Sequence, residues 1–339
     1  MTLIPKSGFL VVLCCWFVTQ SNVCLVLAGD QCPNPMFKAA GASSQASQDN
    51  SLSVQHYNSG LSIVFGGMYV WVADWRHGKV AKLRASDGEI VGSIPVGTDP
   101  FGLTTDGTEA WVACFTSGNL FALRTLNSAA LGGVLQRNGP FGVAFDGDYI
   151  WVTETSKRTV LKMRHSDGDV IATIRVGNWP KGIAFDGQNI WVANQGSNKI
   201  TKIRASDEAV LGTFKVEKMP EDVAIDGAFV WTANTGNGTV TKLRADDGFK
   251  LGTFRVGKAP VAVKSDGVHV WVANRGDNTV NCLRSEDGSR VRTVAVGSGP
   301  AGVAFDGSNI WVANRGDDTV TEIRVSDGTV LRTKSILTK

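Results

Sequence analysis

The chain has 339 residues, a formal net charge of +3, and 39 glycines. So small a net charge gives no electrostatic argument for binding nucleic acid or an anionic membrane surface, and we expect neither as a partner. The glycine content fits a chain with many tight turns between short strands.

The N-terminus has the pattern of a targeting segment. Lys6 precedes an apolar run from Gly8 to Val18, and the stretch 26–28 offers small or apolar residues for cleavage. The run is too short for a stable membrane anchor. Residues 1–28 are therefore predicted to be a cleaved signal peptide. We expect a secreted or periplasmic protein, with no membrane span in the mature chain.

Residues 29–57 are rich in Ser, Gln, Ala and Asn and are predicted to be a linker. Removing the signal peptide leaves three cysteines, Cys32, Cys114 and Cys282. The last two fall in the second and sixth copies of the repeat described next, which is too far apart for a disulfide bond. No disulfide framework is therefore predicted.

From residue 58 onward the sequence repeats every 40 residues without insertion or deletion. Tryptophans recur at this step: Trp71, Trp111, Trp151, Trp191, Trp231, Trp271 and Trp311. Prolines 100 to 300 and arginines 84 to 324 recur in parallel. This pattern indicates a repeat architecture, and residues 58–339 are predicted to be one closed domain.

Each copy contains four short apolar segments separated by turn residues. In the seventh copy they are 302–305, 309–314, 319–324 and 329–334, with Asp-Gly pairs at two of the turns. Val, Ile, Phe, Trp and Thr dominate the segments, as in β-strands. The predicted fold class is all-β, a seven-bladed β-propeller with four antiparallel strands per 40-residue blade.

The repeat motif GVAFDGxNIWVANxGxNTVTKLR resembles the repeats of YVTN/NHL-type propellers. More narrowly, it resembles the virginiamycin B (streptogramin) lyase family across all seven blades, mainly at scaffold positions. The resemblance implies catalytic histidines directly after the blade prolines and a glutamate four residues after a blade tryptophan. Here the residues after the prolines are Phe101, Phe141, Lys181, Glu221, Val261 and Ala301. Four residues after the tryptophans stand Trp75, Phe115, Thr155, Gln195, Thr235, Arg275 and Arg315. No histidine occupies the first set and no glutamate the second, so streptogramin lyase activity is not expected.

The repeated columns lead to three structural predictions. Pairing of the second and third strands places Trp71 opposite Lys82, with Arg84 one diagonal step away, so that a cation can lie over the indole. The arginine column is predicted to pair with the turn aspartates of the neighbouring blade, as Arg84 with Asp106. The ring is predicted to close by packing alone, unless residues 51–56 add an outer strand to blade seven.

Candidate site residues are those that depart from the repeat. Asp74 and Glu154 stand where later blades have asparagine, and the loop after Asp74 contains Trp75 and His77. Phe115 and Trp179 are expected on the same side, the face that carries the loops entering the first strand and leaving the second. On the innermost strands Asp222 replaces a glycine and Lys264 replaces an alanine. We expect these two to approach each other at the channel wall, near Asp74 and Glu154.

The sequence indicates no metal or cofactor. His77, His165 and His269 fall in different turns and strands, without metal-ligand spacing. The interpretation that fits best is a non-catalytic binding or protein-interaction module whose partner, an unknown protein or a small polar ligand, binds the loop face. The alternatives are a lyase-like enzyme and a small-ligand or glycan binder.

Overall fold

The computed structural model describes residues 63–125, 127–134 and 139–337. The predicted signal peptide, the linker and the possible added strand at 51–56 lie outside these residues. The described chain forms 28 β-strands and one short 3-10 helix, η1 (Gln195–Ser197). The strands form seven four-stranded antiparallel sheets, each made of consecutive strands, which confirms the predicted propeller.

The strands of blades 1 to 4 are β1 (Ile63–Gly66), β2 (Tyr69–Asp74), β3 (Lys79–Arg84), β4 (Ile90–Pro95); β5 (Pro100–Thr105), β6 (Glu109–Cys114), β7 (Asn119–Arg124), β8 (Ala130–Val134); β9 (Pro140–Phe145), β10 (Tyr149–Glu154), β11 (Thr159–Arg164), β12 (Val170–Arg175); and β13 (Pro180–Phe185), β14 (Asn189–Asn194), β15 (Lys199–Arg204), β16 (Val210–Lys215). Those of blades 5 to 7 are β17 (Pro220–Asp226), β18 (Phe229–Asn234), β19 (Thr239–Arg244), β20 (Lys250–Arg255); β21 (Pro260–Ser265), β22 (His269–Asn274), β23 (Thr279–Arg284), β24 (Arg290–Ala295); and β25 (Pro300–Phe305), β26 (Asn309–Asn314), β27 (Thr319–Arg324), β28 (Val330–Ser335).

The seven repeated tryptophans form the hydrophobic contacts between blades. All seven are at most 1% exposed. Trp71 packs with residues of blade 2, including Leu103 and Val112, and Trp311 packs with residues of blade 1. Because an indole buries about 150–250 Å², this column supplies much of the apolar area that holds adjacent sheets together.

Glycines on the innermost strands allow neighbouring blades to approach closely. A Cβ atom on Gly102 would lie 2.1 Å from the carbonyl oxygen of Phe141, and one on Gly142 would lie 2.3 Å from that of Lys181. Such contacts are too short for any side chain, so backbone approach explains why glycine recurs at this position.

The arginine column does not pair across blades as predicted. Six of the seven arginines bind the aspartate three residues later in their own turn, at 2.5 to 3.3 Å: Arg84–Asp87, Arg164–Asp167, Arg204–Asp207, Arg244–Asp247, Arg284–Asp287 and Arg324–Asp327. The local partner is within reach without bridging a seam between two sheets. Four of the turn aspartates that we expected to bind arginine instead accept the indole N–H of their own blade, as Asp186 does from Trp191 at 2.7 Å.

The predicted cation over the indole is the lysine of the facing strand. Trp71 and Lys82 are register partners, and the Lys82 Nζ lies 5.1 Å from the indole centroid. The same ammonium donates a hydrogen bond to the carbonyl of Thr125 in the next blade at 2.5 Å. Lys162, Lys202 and Lys242 repeat both interactions. The lysine column therefore links neighbouring blades by hydrogen bonds.

Blade seven meets blade one without a shared sheet among the described residues. The outermost strand of blade seven is β28, and β1 is the innermost strand of blade one. Polar contacts cross this boundary: Arg76 binds Asp318 at 2.9 Å, and Lys334 binds Glu89 at 2.5 Å. Within the described chain, the ring closes by packing and by ion pairs.

Candidate functional site

The innermost strands enclose a central channel of about 450 Å³. Most of the side chains along its wall are apolar, namely Val, Ala, Ile and Phe residues from all seven blades, but polar atoms form slightly more than half of the accessible wall. Three charged residues line it, namely Glu221, Asp222 and Lys264. A cavity of this size and composition lies within the range of small-molecule sites.

The two ends of the channel differ. At the upper end, on the face that carries the β2–β3 loop and its equivalents, Phe101, Lys181, Glu221, Val261 and Ala301 are all buried. At the lower end the corresponding row, which includes Phe145, Phe185, Ile225, Ser265 and Phe305, is partly exposed. Solvent therefore reaches the channel more freely from the lower face.

Asp222 and Lys264 both line the channel, as expected, but they do not form an ion pair. The Asp222 carboxylate accepts the backbone N–H of Val223 at 2.9 Å and that of Val263, in the next blade, at 3.0 Å. Asp222 thus links blades 5 and 6 through the backbone. The Lys264 side chain is exposed to the channel, and no described residue accepts a hydrogen bond from it.

The channel environment raises the pKa of Asp222 and lowers that of Lys264, so it favours the uncharged form of both groups. Burial in the channel wall raises the pKa of Asp222 to about 6, although its two backbone hydrogen bonds and Lys264 act in the opposite direction. Removal from bulk water lowers the pKa of the Lys264 ammonium, and Asp222 partly opposes this. The two groups therefore interact electrostatically without direct contact.

A phenylalanine cluster covers the upper face between blades 2 and 3. Phe101 lies 5.2 Å from Phe141 and 5.8 Å from Phe115, and Phe115 meets Phe141 edge to face at 6.3 Å between ring centroids. These separations are typical of favourable aromatic pairs. Phe115, which was predicted as a site residue, therefore belongs to a packed cluster that seals this boundary.

Beside this cluster lies a buried ion pair. Lys181 Nζ binds Glu221 Oε1 at 2.8 Å, and each side chain is at most 6% exposed. Gln195 donates to the second carboxylate oxygen of Glu221. The Lys181 ammonium also lies 5.0 Å from the centroid of Phe141. Two donors hold Glu221 in place, and this arrangement closes the upper end of the channel between blades 4 and 5.

Arginines dominate the remaining part of the upper face. The Arg315 guanidinium stacks on Trp75 at 3.8 Å from the ring centroid, and Arg76 lies 5.7 Å from the same ring. Trp75 packs against the apolar cluster that contains Val261 and Ala301. Burial lowers the pKa of Arg315 to about 10, with further lowering by Arg275 and Arg76. The predicted site residue Trp75 therefore lies in a cationic cluster.

Asp74, His77 and Glu154 do not form a common site. Asp74 is 5% exposed and accepts the backbone N–H and the ring Nδ1 of His77, at 3.2 and 2.8 Å. Glu154 is buried and accepts the Thr159 hydroxyl at 2.8 Å. Asparagines at the same position, such as Asn194, bind loop N–H groups and threonine hydroxyls. In blades 2, 4 and 6 this position accepts the N–H of a glycine in the loop that enters the first strand of the blade. Asp74 and Glu154 thus have local partners within their own blades, and neither lines the channel.

Trp179 lies on the upper face and is 43% exposed. Its φ of 51° is in the left-handed region, at the position where Gly139 and Gly299 stand in other blades. Among the described residues, the structure therefore places Asp222 and Lys264 in the channel wall and Trp75 with arginines, and the carbonyl of Trp179 accepts the N–H of Gln195 at 3.0 Å.

Six residues of the upper face were not predicted as site residues, namely Phe101, Phe141, Lys181, Glu221, Arg275 and Arg315. All six belong to the two columns at which the resemblance implies catalytic residues. The sequence does contain a signal for them, since the residue type varies from blade to blade both after the prolines and four residues after the tryptophans. Side chains with the same structural role in every blade would be of similar type. Their mutual contacts follow from ring closure, which brings residues 40 positions apart side by side.

The described residues include no group of three or more His, Cys, Asp or Glu side chains able to hold a metal ion. Burial raises the pKa of the Cys114 and Cys282 thiols to about 12, which disfavours the reactive thiolate. Within the part of the chain that the structure describes, no helix has the length and apolar character needed to cross a bilayer.

The geometry defines a seven-bladed β-propeller, and comparisons with solved structures agree. A structure titled Kuenenia stuttgartiensis hydrazine synthase is similar at TM-score 0.71 and 17% identity, over 83% of this chain and 99% of that one. A streptogramin B lyase structure is similar at TM-score 0.65 and 17% identity, over 76% and 91% of the two chains. A functionally unknown protein from Desulfotomaculum acetoxidans is similar at TM-score 0.66 and 16% identity, over 78% and 94%. No protein-family model and no curated protein sequence matches the chain. At these identities the likeness is one of fold.

Proposed function

We propose that the protein is a non-catalytic binding module that takes a small ligand in its central channel. The observation that carries this proposal is Lys264, a channel-exposed lysine without a hydrogen-bond acceptor among the described residues, in a cavity of about 450 Å³ whose side chains are mostly apolar. Ligand sites commonly combine apolar walls with a few polar groups that fix orientation.

The channel favours a ligand that has both apolar and polar parts and carries a hydrogen-bond acceptor or negative charge for Lys264. Val223, Val263 and Ala224 provide apolar contact next to Lys264. The carboxylate of Asp222 is already occupied by two backbone N–H groups. Lys264 is therefore the group available to bind a polar atom of the ligand. We expect entry from the lower face, where the lining residues are partly exposed.

Binding is a better interpretation of this channel than catalysis. The described lining residues contain no His and no Cys, and no serine beside a histidine base. Nucleophilic catalysis needs such a pair within hydrogen-bond reach. The positions at which the resemblance implies catalytic residues hold the phenylalanine cluster, the Lys181–Glu221 pair and the arginines. We therefore do not propose lyase activity.

We also propose that the protein acts outside the cytoplasm. The support is the N-terminal pattern of Lys6, the following apolar run and the small residues before Asp30. N-terminal sequencing of protein from the extracytoplasmic fraction checks this. We expect a mature chain that begins near residue 29, and a full-length chain in the cytoplasm would contradict the proposal.

The channel proposal is tested with the fluorescent probe 8-anilinonaphthalene-1-sulfonate, an apolar molecule with one negative charge. Wild type should bind it with enhanced fluorescence. Lys264→Ala, which restores the alanine of other blades, should weaken binding about tenfold because a charge-assisted hydrogen bond is lost. Ala224→Phe, which narrows the channel, should abolish binding.

Lys250→Ala is the matched control, since Lys250 lies on an outer strand and is partly exposed. It should bind the probe as wild type does. Equal binding by wild type and both channel variants would exclude the channel as the site.

A further inference from the structure

Three hydrogen-bond donors on the upper face lack acceptors among the described residues. They are Arg275 Nη1 and Trp75 Nε1, which are fully buried, and the Arg315 guanidinium stacked on Trp75. All three residues occupy the position four residues after a repeated tryptophan, in blades 6, 7 and 1. We call these three residues the upper cationic cluster.

The same position has a partner in the intervening blades. Thr155 donates to the Pro180 carbonyl at 2.9 Å, and Thr235 donates to the Pro260 carbonyl at 2.7 Å. Gln195 donates to Glu221. In blades 3 to 5 this position therefore closes the boundary to the next blade. In blades 6 and 1 the buried donors at this position, Arg275 Nη1 and Trp75 Nε1, have no such acceptor among the described residues.

The nearby carboxylates do not satisfy the cluster. Asp318 binds Arg76 at 2.9 Å, and Glu221 is held by Lys181 and Gln195 while it attracts Arg275 at longer range. Asp99 accepts the Thr116 hydroxyl and attracts Arg315 only at longer range. Burial lowers the pKa of Arg275, and both burial and its cationic neighbours lower that of Arg315. Arg275 and Arg315 are partly exposed, and a cation held partly away from water without a hydrogen-bond acceptor is costly, so a bound anion would reduce this cost.

We propose that the upper cationic cluster binds the oxyanion of a small ligand, either a carboxylate or a phosphate. Guanidinium groups match both anions through paired N–H donors, and the Trp75 indole on which Arg315 stacks carries a further N–H without an acceptor among the described residues. Trp75 packs against the apolar cluster that contains Val261 and Ala301, which line the channel, whereas none of the three residues of the upper cationic cluster lines it. The site is thus distinct from the proposed channel site, and neither proposal depends on the other.

Calorimetric titration of the mature protein with inorganic phosphate and with benzoate, at constant ionic strength set with chloride, tests the proposal. Wild type should bind at least one of the two anions. Tighter binding of phosphate would identify a phosphate ligand, and tighter binding of benzoate an organic acid. The double variant Arg275→Gln with Arg315→Gln should bind at least tenfold more weakly.

The control is Arg244→Gln with Arg324→Gln, which removes the same charge from the exposed lower rim. It should bind like wild type. The proposal is overturned if wild type binds neither anion, or if the cluster variant and the control lose affinity equally.

A second readout keeps the test informative if the double variant folds poorly. Arg275→Gln alone, in chloride buffer, should leave the melting temperature unchanged or raise it, because it removes a partly buried cation that has no hydrogen-bond acceptor among the described residues. A fall of several degrees would show that Arg275 holds the fold together, against the proposal. Arg315→Lys retains the charge but loses the paired donors, and should weaken anion binding by about threefold.

Discussion

The boundary between blades 2 and 3 is built differently from the boundary between blades 5 and 6. Between blades 5 and 6, Lys242 donates to the Ser285 carbonyl at 2.7 Å and Asp222 accepts the Val263 N–H at 3.0 Å. Between blades 2 and 3 the lysine position is Ala122, and no described residue donates to the equivalent carbonyl. The phenylalanine cluster covers that boundary instead.

At the remaining boundaries a cation also donates to a backbone carbonyl of the next blade, although the strand that supplies this cation differs. In blades 6 and 7, where Cys282 and Glu322 replace the lysine, the facing residue of the outer strand is an arginine. Arg292 donates to the Val325 carbonyl at 3.2 Å, and Arg332 donates to that of Ser86 at 3.3 Å. Only between blades 2 and 3, among the described residues, is a cation-to-carbonyl link replaced by apolar contact.

Removing the phenylalanine cluster should therefore have the largest effect. Phe115→Ala with Phe141→Ala leaves the boundary between blades 2 and 3 without its upper contact, and should lower the free energy of unfolding by about 3–5 kcal/mol. Urea denaturation measures this. Phe249→Ala, at a phenylalanine that is 59% exposed, should cost only about 0.5 kcal/mol. Similar losses in both proteins would mean that the cluster does not hold the blades.

Asp222→Asn tests the channel side of the boundary between blades 5 and 6. The pKa of Asp222 is raised to about 6 from an ordinary value of 3.8, so the folded state holds its proton to higher pH than the unfolded state. The stability that the protonated acid contributes is complete below pH 4 and is lost as the pH rises through 6.

The wild type should therefore lose up to about 3 kcal/mol from this group between pH 4 and 7, whereas Asp222→Asn should not. Unfolding free energies measured at several pH values give the comparison. Parallel pH profiles for the two proteins would show that Asp222 titrates normally.

Lys242→Met tests the outer link of the same boundary. The variant keeps the length of the side chain but leaves the Ser285 and Glu286 carbonyls without their donor. We expect a loss of about 1–3 kcal/mol in urea unfolding. The control Lys250→Met breaks an exposed ion pair with Glu217 and should cost about 0–1 kcal/mol. If the control costs as much, the link to the next blade contributes nothing specific.

Adding the missing lysine should have the smallest effect, and a favourable one. Ala122 faces Trp111 and Gly132, as Lys82 faces Trp71 and Gly92. The lysine of Ala122→Lys should therefore reach the carbonyl of blade 3 that is equivalent to the Thr125 carbonyl of blade 2. We expect it to raise the free energy of unfolding by about 1 kcal/mol. Gln188→Lys adds the same charge at an exposed turn and should change little. A less stable Ala122→Lys protein would show that this boundary is spaced differently from the others.

The exact 40-residue period was sufficient to predict the fold, because seven equal units with four strands each leave few ways to bury their apolar faces. The contact of Trp71 with Lys82 also followed from hairpin register. The partner of Arg84 could not be predicted in this way. Both Asp87 and Asp106 lie on the lower face, and the sequence does not reveal that Arg84 binds Asp87 within its own turn. The hydrogen bonds of Asp74 and Glu154 could not be predicted for a similar reason. An acidic residue in place of the repeated asparagine suggests a functional site, and only the structure shows that its hydrogen bonds are local.

The links between blades also bear on the order in which the chain acquires its structure. Lys242 and its acceptor Ser285 are 43 residues apart, so each such contact can form soon after the next blade has been synthesised. Arg332 and Ser86 are 246 residues apart. A contact between residues so far apart can form only after the last strand has left the ribosome. Its formation then costs the entropy of closing a long loop. Folding would thus proceed blade by blade, with ring closure as the slow final step.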